Sequence, residues 1–175
     1  MPTPDPVAEG RAYRDSLLAL VGDDDPVAIA LETPDRLRAL VKDAGEALRI
    51  RPEPKEWSVL ELVAHITDAE LVCAARYRWT LAHDEPELIG YDQDLWVDRL
   101  QANELDPDDI LDLFDALRRA NVALWRRTPE DQKQRAAIHS ERGAETYDQL
   151  FRMMAGHDRF HVDQMTRTLG TVRSR

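Results

Sequence analysis

The chain has 175 residues, a formal net charge of −11, 33% charged residues and one cysteine, Cys73. That length suits one domain able to bury about two-thirds of its unfolded surface. A lone cysteine excludes an intramolecular disulfide and suits a reducing cytoplasm, and an acidic surface repels phosphate backbones, so nucleic acid is not an expected partner. No uncharged apolar run approaches the ~20 residues of a membrane span, and MPTPDPVAEG holds no secretory core. A cytoplasmic protein working on a small molecule, away from membranes, is the expectation.

Leucine, alanine, glutamate and arginine dominate, and β-branched residues never form alternating runs. This predicts an all-α chain. A first helix is predicted over about 5–21, with Leu17, Leu18 and Val21 on one edge, broken by DDDP at 23–26. A second run culminates in TPDRLRALVKDAGEAL, with Thr33 as N-cap, Pro34 at the first helical position, and Leu37, Leu40, Val41 and Ala44 as its stripe. WSVLEL marks the clearest start. Ser58 and Glu61 form a capping box, with Trp57 and Leu62 as a hydrophobic staple. Leu62, Ile66, Ala69, Cys73 and Tyr77 carry this helix to about His83.

A long connection follows through EPELIGYDQDLWVDRLQANEL, where Asp94 is expected to cap a short helix in LWVDRL. The next helix runs from Asp106–Pro107 to Thr128–Pro129, with Ile110, Leu113, Phe114, Leu117 and Leu124 as its stripe. The linker TPEDQKQRAAIHSERGAE leads to the last helix, where Thr146 and Gln149 form a second capping box. Together these predict an antiparallel four-helix bundle with an additional N-terminal helix and crossover-type long connections. The boundaries are 1–24 for the N-terminal extension, 25–170 for the bundle and 171–175 for a tail.

AGHDRFHVDQM, at 155–165, sets His157 and His161 four residues apart, so both imidazoles lie on one helix face. Leu150, Met154, His157, His161 and Thr168 fall on one inward stripe, and Gly156 leaves room beside it for a helix or a ligand. His65 lies at the edge of the face marked by Leu62, Ala69 and Val72. Two helices would then turn three imidazoles inward. Buried polar groups need partners, and a divalent cation is one solution. The alternative, that each ring only hydrogen-bonds within the core, stands beside it on spacing alone. Zinc, nickel, iron or copper would accept these ligands. His83 is expected to be exposed, and His139 to lie in a loop able to fold over the site.

WSVLELVAHITDAE, EPELIGYDQDLWVDRL and HSERGAETYDQLFRMMAGHDRFHVDQM, in that order and spacing, resemble the DinB-like superfamily of four-helix-bundle metalloproteins across about 25–169. The resemblance implies that His65, His157 and His161 ligate a metal, typically zinc or nickel, and that the chain forms a homodimer. Relatives of this kind include bacillithiol-transferase-like and mycothiol-dependent enzymes and metal-dependent hydrolases. The expected activity is therefore transfer of a low-molecular-weight thiol to an electrophile, or hydrolysis at the same metal. Nothing in the sequence matches a thiol-cofactor pocket. The rival expectations are a non-catalytic, stress-associated bundle that binds a metal or ligand, and a metal-free structural bundle.

Either chemistry needs a proton carrier or an orienting group. Asp68, close to His65, is a candidate to orient a ligand ring. Asp94, His139, Glu141 and Arg142, in the two long connections, are candidates to close over the metal. Asp94 as a mere cap and Arg142 as a partner of surface acids are the plainer readings. Cys73 and the Met153–Met154 pair are expected in the core, and Trp79, Trp96 and Trp125 either pack there or line a pocket.

Overall fold

The computed structural model describes residue 5 and residues 8–175. Its helices are α1 (Gly10–Val21), α2 (Pro26–Ala44), α3 (Val59–Ala82), α4 (Gln93–Arg99), α5 (Pro107–Arg127) and α6 (Tyr147–Arg173). Three short strands accompany them: β1 (Glu87–Leu88), β2 (Ala136–His139) and β3 (Gly143–Thr146). Residues 6 and 7 of the predicted first helix lie outside the described residues.

Both capping boxes form. Ser58 Oγ accepts from Glu61 N while Glu61 returns to Ser58 N, and Thr146 and Gln149 make the same exchange at the head of α6. Each such cap contributes on the order of 1 kcal/mol. These two starts matter most, because α3 and α6 carry the histidines.

Helix α2 starts earlier than predicted. Asp25 caps it and Pro26 sits in its first turn, so Thr33 is no N-cap and Pro34 lies inside the helix. An internal proline cannot donate to the carbonyl four residues back. That carbonyl, Ala30 O, accepts from Arg118 Nη1 at 3.2 Å instead, which offsets the loss. Thr33 Oγ1 turns inward and lies 2.9 Å from Asp158 Oδ2.

Bundle topology follows from two core clusters. Leu37 of α2, Val59 and Ile66 of α3, Leu111 and Phe114 of α5, and Met165 and Leu169 of α6 meet at one end. Ala30, Tyr77, Trp125 and Phe151 of the same helices meet at the other, together with Leu17 of α1. Hence α2 and α6 run one way, and α3 and α5 the other. Neighbours α3 and α5 are parallel, so the chain between them returns along the length of the bundle. This is the expected crossover connection, and it carries β1 and α4.

Helix α1 lies along α6. A Cβ on Gly156 would run into the Leu17 carbonyl oxygen, so the glycine makes room for a helix backbone rather than for a ligand.

The predicted stripe of α5 is rotated. Of its residues only Phe114 is buried, and Leu113 is 45% exposed. Leu111, Phe114, Arg118, Asn121, Val122 and Trp125 face inward instead. Two of these are polar, which is why an apolar count missed the face.

The linker after α5 also holds more than a loop. β2 and β3 pair antiparallel, β1 joins β2 in parallel, and Leu88 is opposite His139. Ser140 N donates to Leu88 O at 3.0 Å and Gly90 N to Ser140 Oγ at 3.1 Å. This small sheet ties the crossover connection to the hairpin. His139 is therefore at a strand end, not in a free loop.

Candidate metal centre

Three histidines converge where α3 meets α6. The predicted inward stripe of α6 holds, with Leu150, Met154, His157, His161 and Thr168 all buried. From α3, His65 Nε2 comes within 3.1 Å of His157 Nε2. Ring centroids lie 4.7 Å apart for His65–His161 and 4.3 Å for His157–His161. One potential ligand atom from each ring falls within 4.8 Å of the others. Trp57, just before the Ser58 cap, packs on His65 with centroids 4.9 Å apart.

Burial keeps the rings neutral, which is the ligating form. His65 is held well below the ordinary imidazole range by burial and by nearby His161. His157 is pushed the same way by burial and by both neighbouring rings. Burial lowers His161 to about 4, with its hydrogen bond to Gln164 pulling back upward.

The arrangement fits a cation. Bonds of about 2.0–2.1 Å at tetrahedral angles put two ligand nitrogens roughly 3.3 Å apart, close to the separation of His65 and His157. His161 Nδ1 lies 2.8 Å from Gln164 Oε1, an acceptor, so the ring proton belongs on Nδ1. Its Nε2 then points a lone pair inward, and that atom is buried with no hydrogen-bond partner. His157 Nδ1 is likewise buried and unpartnered.

A cavity of about 70 Å³ opens beside His65 and His157. It is lined by Leu17, Ala69, Met153 and Met154, by Tyr91 and Gln93 of the connection, and by His139, Glu141 and Arg142 of the hairpin. Three of the five candidate polar residues thus reach it. Arg142 pairs with buried Glu145, at 2.6 and 2.9 Å, rather than with surface acids. Asp68 is partly buried, its carboxyl raised to about 6 by burial, and it hydrogen-bonds none of the histidines. Gln164 does the orienting proposed for it. Asp94 lies exposed in the first turn of α4, and Asp92 is the cap, accepting from Leu95 N at 3.0 Å. Cys73 lines the cavity as a buried thiol pushed up by burial. His83 is exposed. Trp79 and Trp96 line an open groove next to the cavity, whereas Trp125 stacks on Phe151 in the core.

One polar group escaped sequence reasoning altogether. Arg118 is buried among Asp158, Glu70 and the Ala30 carbonyl, with Nη2 3.0 Å from Asp158 Oδ1 and 3.0 Å from Glu70 Oε2. Asn121 Nδ2 donates to Glu70 Oε1 at 2.8 Å. This network joins all four bundle helices beside the histidines. Its only sequence signal is a polar residue wherever α5 should be apolar.

Fold and site together define a helical-bundle protein with a candidate three-histidine metal centre. The sequence profile of the DinB superfamily matches residues 30–165, and the chain belongs to that superfamily. A protein of Bacillus subtilis, YfiT, is 22% identical over 145 residues, 82% of each chain. A Bacillus licheniformis protein is 26% identical over 133 residues, 75% of this chain and 76% of its own. A Geobacillus thermodenitrificans protein is 29% identical over 92 residues, and the chain spans only about half (52%) of its length. All three carry provisional names as metal-dependent hydrolases. The solved structure of YfiT superposes with a TM-score of 0.76 at 19% identity, covering 96% of this chain and 91% of that one. It is described as a probable metal-dependent hydrolase with an unusual four-helix bundle topology, and the likeness establishes the shared fold.

Proposed function

We propose that this chain is a metal-dependent enzyme acting on a small electrophilic substrate at a divalent cation, zinc or nickel, held by His65, His157 and His161. The observation that carries the reading is the convergence of three buried imidazoles, one with its inward nitrogen left without a partner. When bound, a cation with three such ligands supplies Lewis acidity at an open position, enough to activate a water or a thiol near neutral pH. The chain's own residues prepare for this. Gln164 keeps the His161 proton on Nδ1. Met153, Met154 and Leu17 line the adjoining cavity with apolar surface, and His139, Tyr13 and Tyr91 bring hydrogen-bonding groups to the same cavity.

Hydrolysis is supported by the names of the relatives. Thiol transfer, with bacillithiol or mycothiol as the donor class, is favoured by a different observation. The cavity and the groove share Arg76 and Gly90, so two reactants have adjoining compartments.

Elemental analysis of untagged protein tests the metal. Near-stoichiometric zinc or nickel is expected, lost in His161→Ala with the helical circular dichroism retained; no metal in either protein would sink the site. Turnover of a model ester, and of a model electrophile with and without each thiol, then separates the two reactions. Turnover that survives His161→Ala unchanged would leave a metal-binding bundle without catalysis.

A further inference from the structure

We propose that the cavity beside the histidines is a carboxylate subsite, in which the Arg76 guanidinium and the Nε2–H of His139 hold the carboxylate of a substrate with an apolar body. The inference rests on the metal-enzyme reading for its reaction and names the class of substrate.

Arg76, on α3, is 5% exposed. Its Nη2 donates to Ile89 O at 2.6 Å, and among the described residues no carboxylate forms an ion pair with it. A buried guanidinium without a counter-charge is costly, and its planar fork matches a carboxylate bidentately. The cavity's other guanidinium, Arg142, is already taken by Glu145. Glu141, the cavity's own carboxylate, packs against Gly90 instead.

His139 is 1% exposed. Its Nδ1 accepts from Glu141 N at 3.2 Å, which places the ring proton on Nε2. That Nε2 is buried and has no partner. Burial, with the nearby Arg142 and Arg76 charges, holds the ring near 3, so it is a neutral donor at neutral pH. Burial also raises Tyr13, to about 12, so a further neutral phenol lines the same cavity. The residue with the orphaned donor and the guanidinium without a counter-charge therefore line one small cavity, which has room for a carboxylate but not for a whole substrate.

The groove supplies the rest. Arg76 and Gly90 are also walls of the open groove formed with Leu71, Trp79, Ile89 and Trp96. Ile89 is 80% and Trp79 47% exposed. A ligand anchored by its carboxylate at Arg76 would lay its apolar part across these side chains.

The test is calorimetric titration of 4-phenylbutyrate and its uncharged amide, 4-phenylbutyramide, into the full chain, both zinc-loaded and treated with EDTA. The acid is expected to bind at least roughly ten-fold more tightly than the amide in both forms, a usual margin for a charge-assisted pair. Arg76→Met should abolish that preference with zinc stoichiometry retained. His139→Ala should weaken the acid, and His139→Gln, which keeps an N–H, should restore part of the loss. Should Arg76→Met fail to fold, the His139 pair decides. Equal affinity for acid and amide would overturn the proposal, as would acid binding unaffected by these substitutions or present only with zinc and independent of Arg76. Arg76-dependent binding in a chain that takes up no zinc would sink the metal reading and leave the subsite standing.

Discussion

Which nitrogen of His161 carries the proton decides which one can ligate. Gln164 Oε1, 2.8 Å from Nδ1, can only accept there, so the neutral ring presents Nε2 to its neighbours. Gln164→Met removes the acceptor at similar size. Metal affinity is expected to fall about 10–100-fold, as for other lost partners of ligating histidines, with the fold intact. Competition against a chromophoric chelator reads this directly, and an unchanged dissociation constant would refute the role of Gln164. The residue lies three positions after His161, so the pairing was available from helical spacing. A carboxylate is the commoner partner of a ligating ring, and Asp68 is the carboxylate three residues after His65.

Elements are held in register around the histidines by charge as well as by packing. Arg118 reaches Asp158 on α6, Glu70 on α3 and Ala30 on α2. Asp158 follows His157 directly, and Glu70 lies five residues after His65, so the network sets the relative height of α3 and α6. Arg118→Met would leave two buried carboxylates without their cation. Breaking such a cluster costs about 3–5 kcal/mol, expected as a lower urea midpoint with unchanged m-value. A midpoint equal to wild type would show that the network contributes specificity rather than stability. The same residue supplies the donor that Pro34 lacks, so one side chain of α5 makes an internal proline in α2 tolerable.

At the scale of the whole molecule, the buried histidines make stability depend on pH. His161 titrates near 4 and His139 near 3 in the folded chain, and His65 and His157 are also lowered. Unfolded histidine titrates at about 6.5. The unfolded chain therefore binds more protons below that value, so this contribution is complete above about pH 6.5 and is lost as pH falls toward the folded values. Asp68, raised to about 6, and Asp94 and Asp158, also raised by burial, work in the opposite direction. They are three groups against four, and their unfolded values lie near 4, well below that of histidine. In EDTA-treated protein the urea midpoint should fall steadily from pH 7 to pH 5. A flat profile over that range would contradict the burial of the histidines.

No helix among the described residues is long and apolar enough to cross a membrane, as the composition suggested. The amino-acid sequence by itself determined the helices that carry the centre. Capping boxes at Ser58 and Thr146 and the stripes of α3 and α6 are short-range features, written within a few residues of where they act. His157 and His161 were legible as an inward pair from their four-residue spacing, and His65 as a residue at the edge of the inward face of α3. Their grouping as one ligand set came from the family resemblance rather than from periodicity. Only the tertiary structure decided the rest. The inward face of α5 was hidden because Arg118 and Asn121 are polar, and their partners lie on other helices. The pairing of β1 with β2, about fifty residues apart in the chain (Leu88 with His139), brought the hairpin over the cavity. Gly156 was legible as a gap, but not that the Leu17 backbone would fill it. Local backbone preference selects a helix and its face; which long-range partner meets that face is settled only when the chain closes its core.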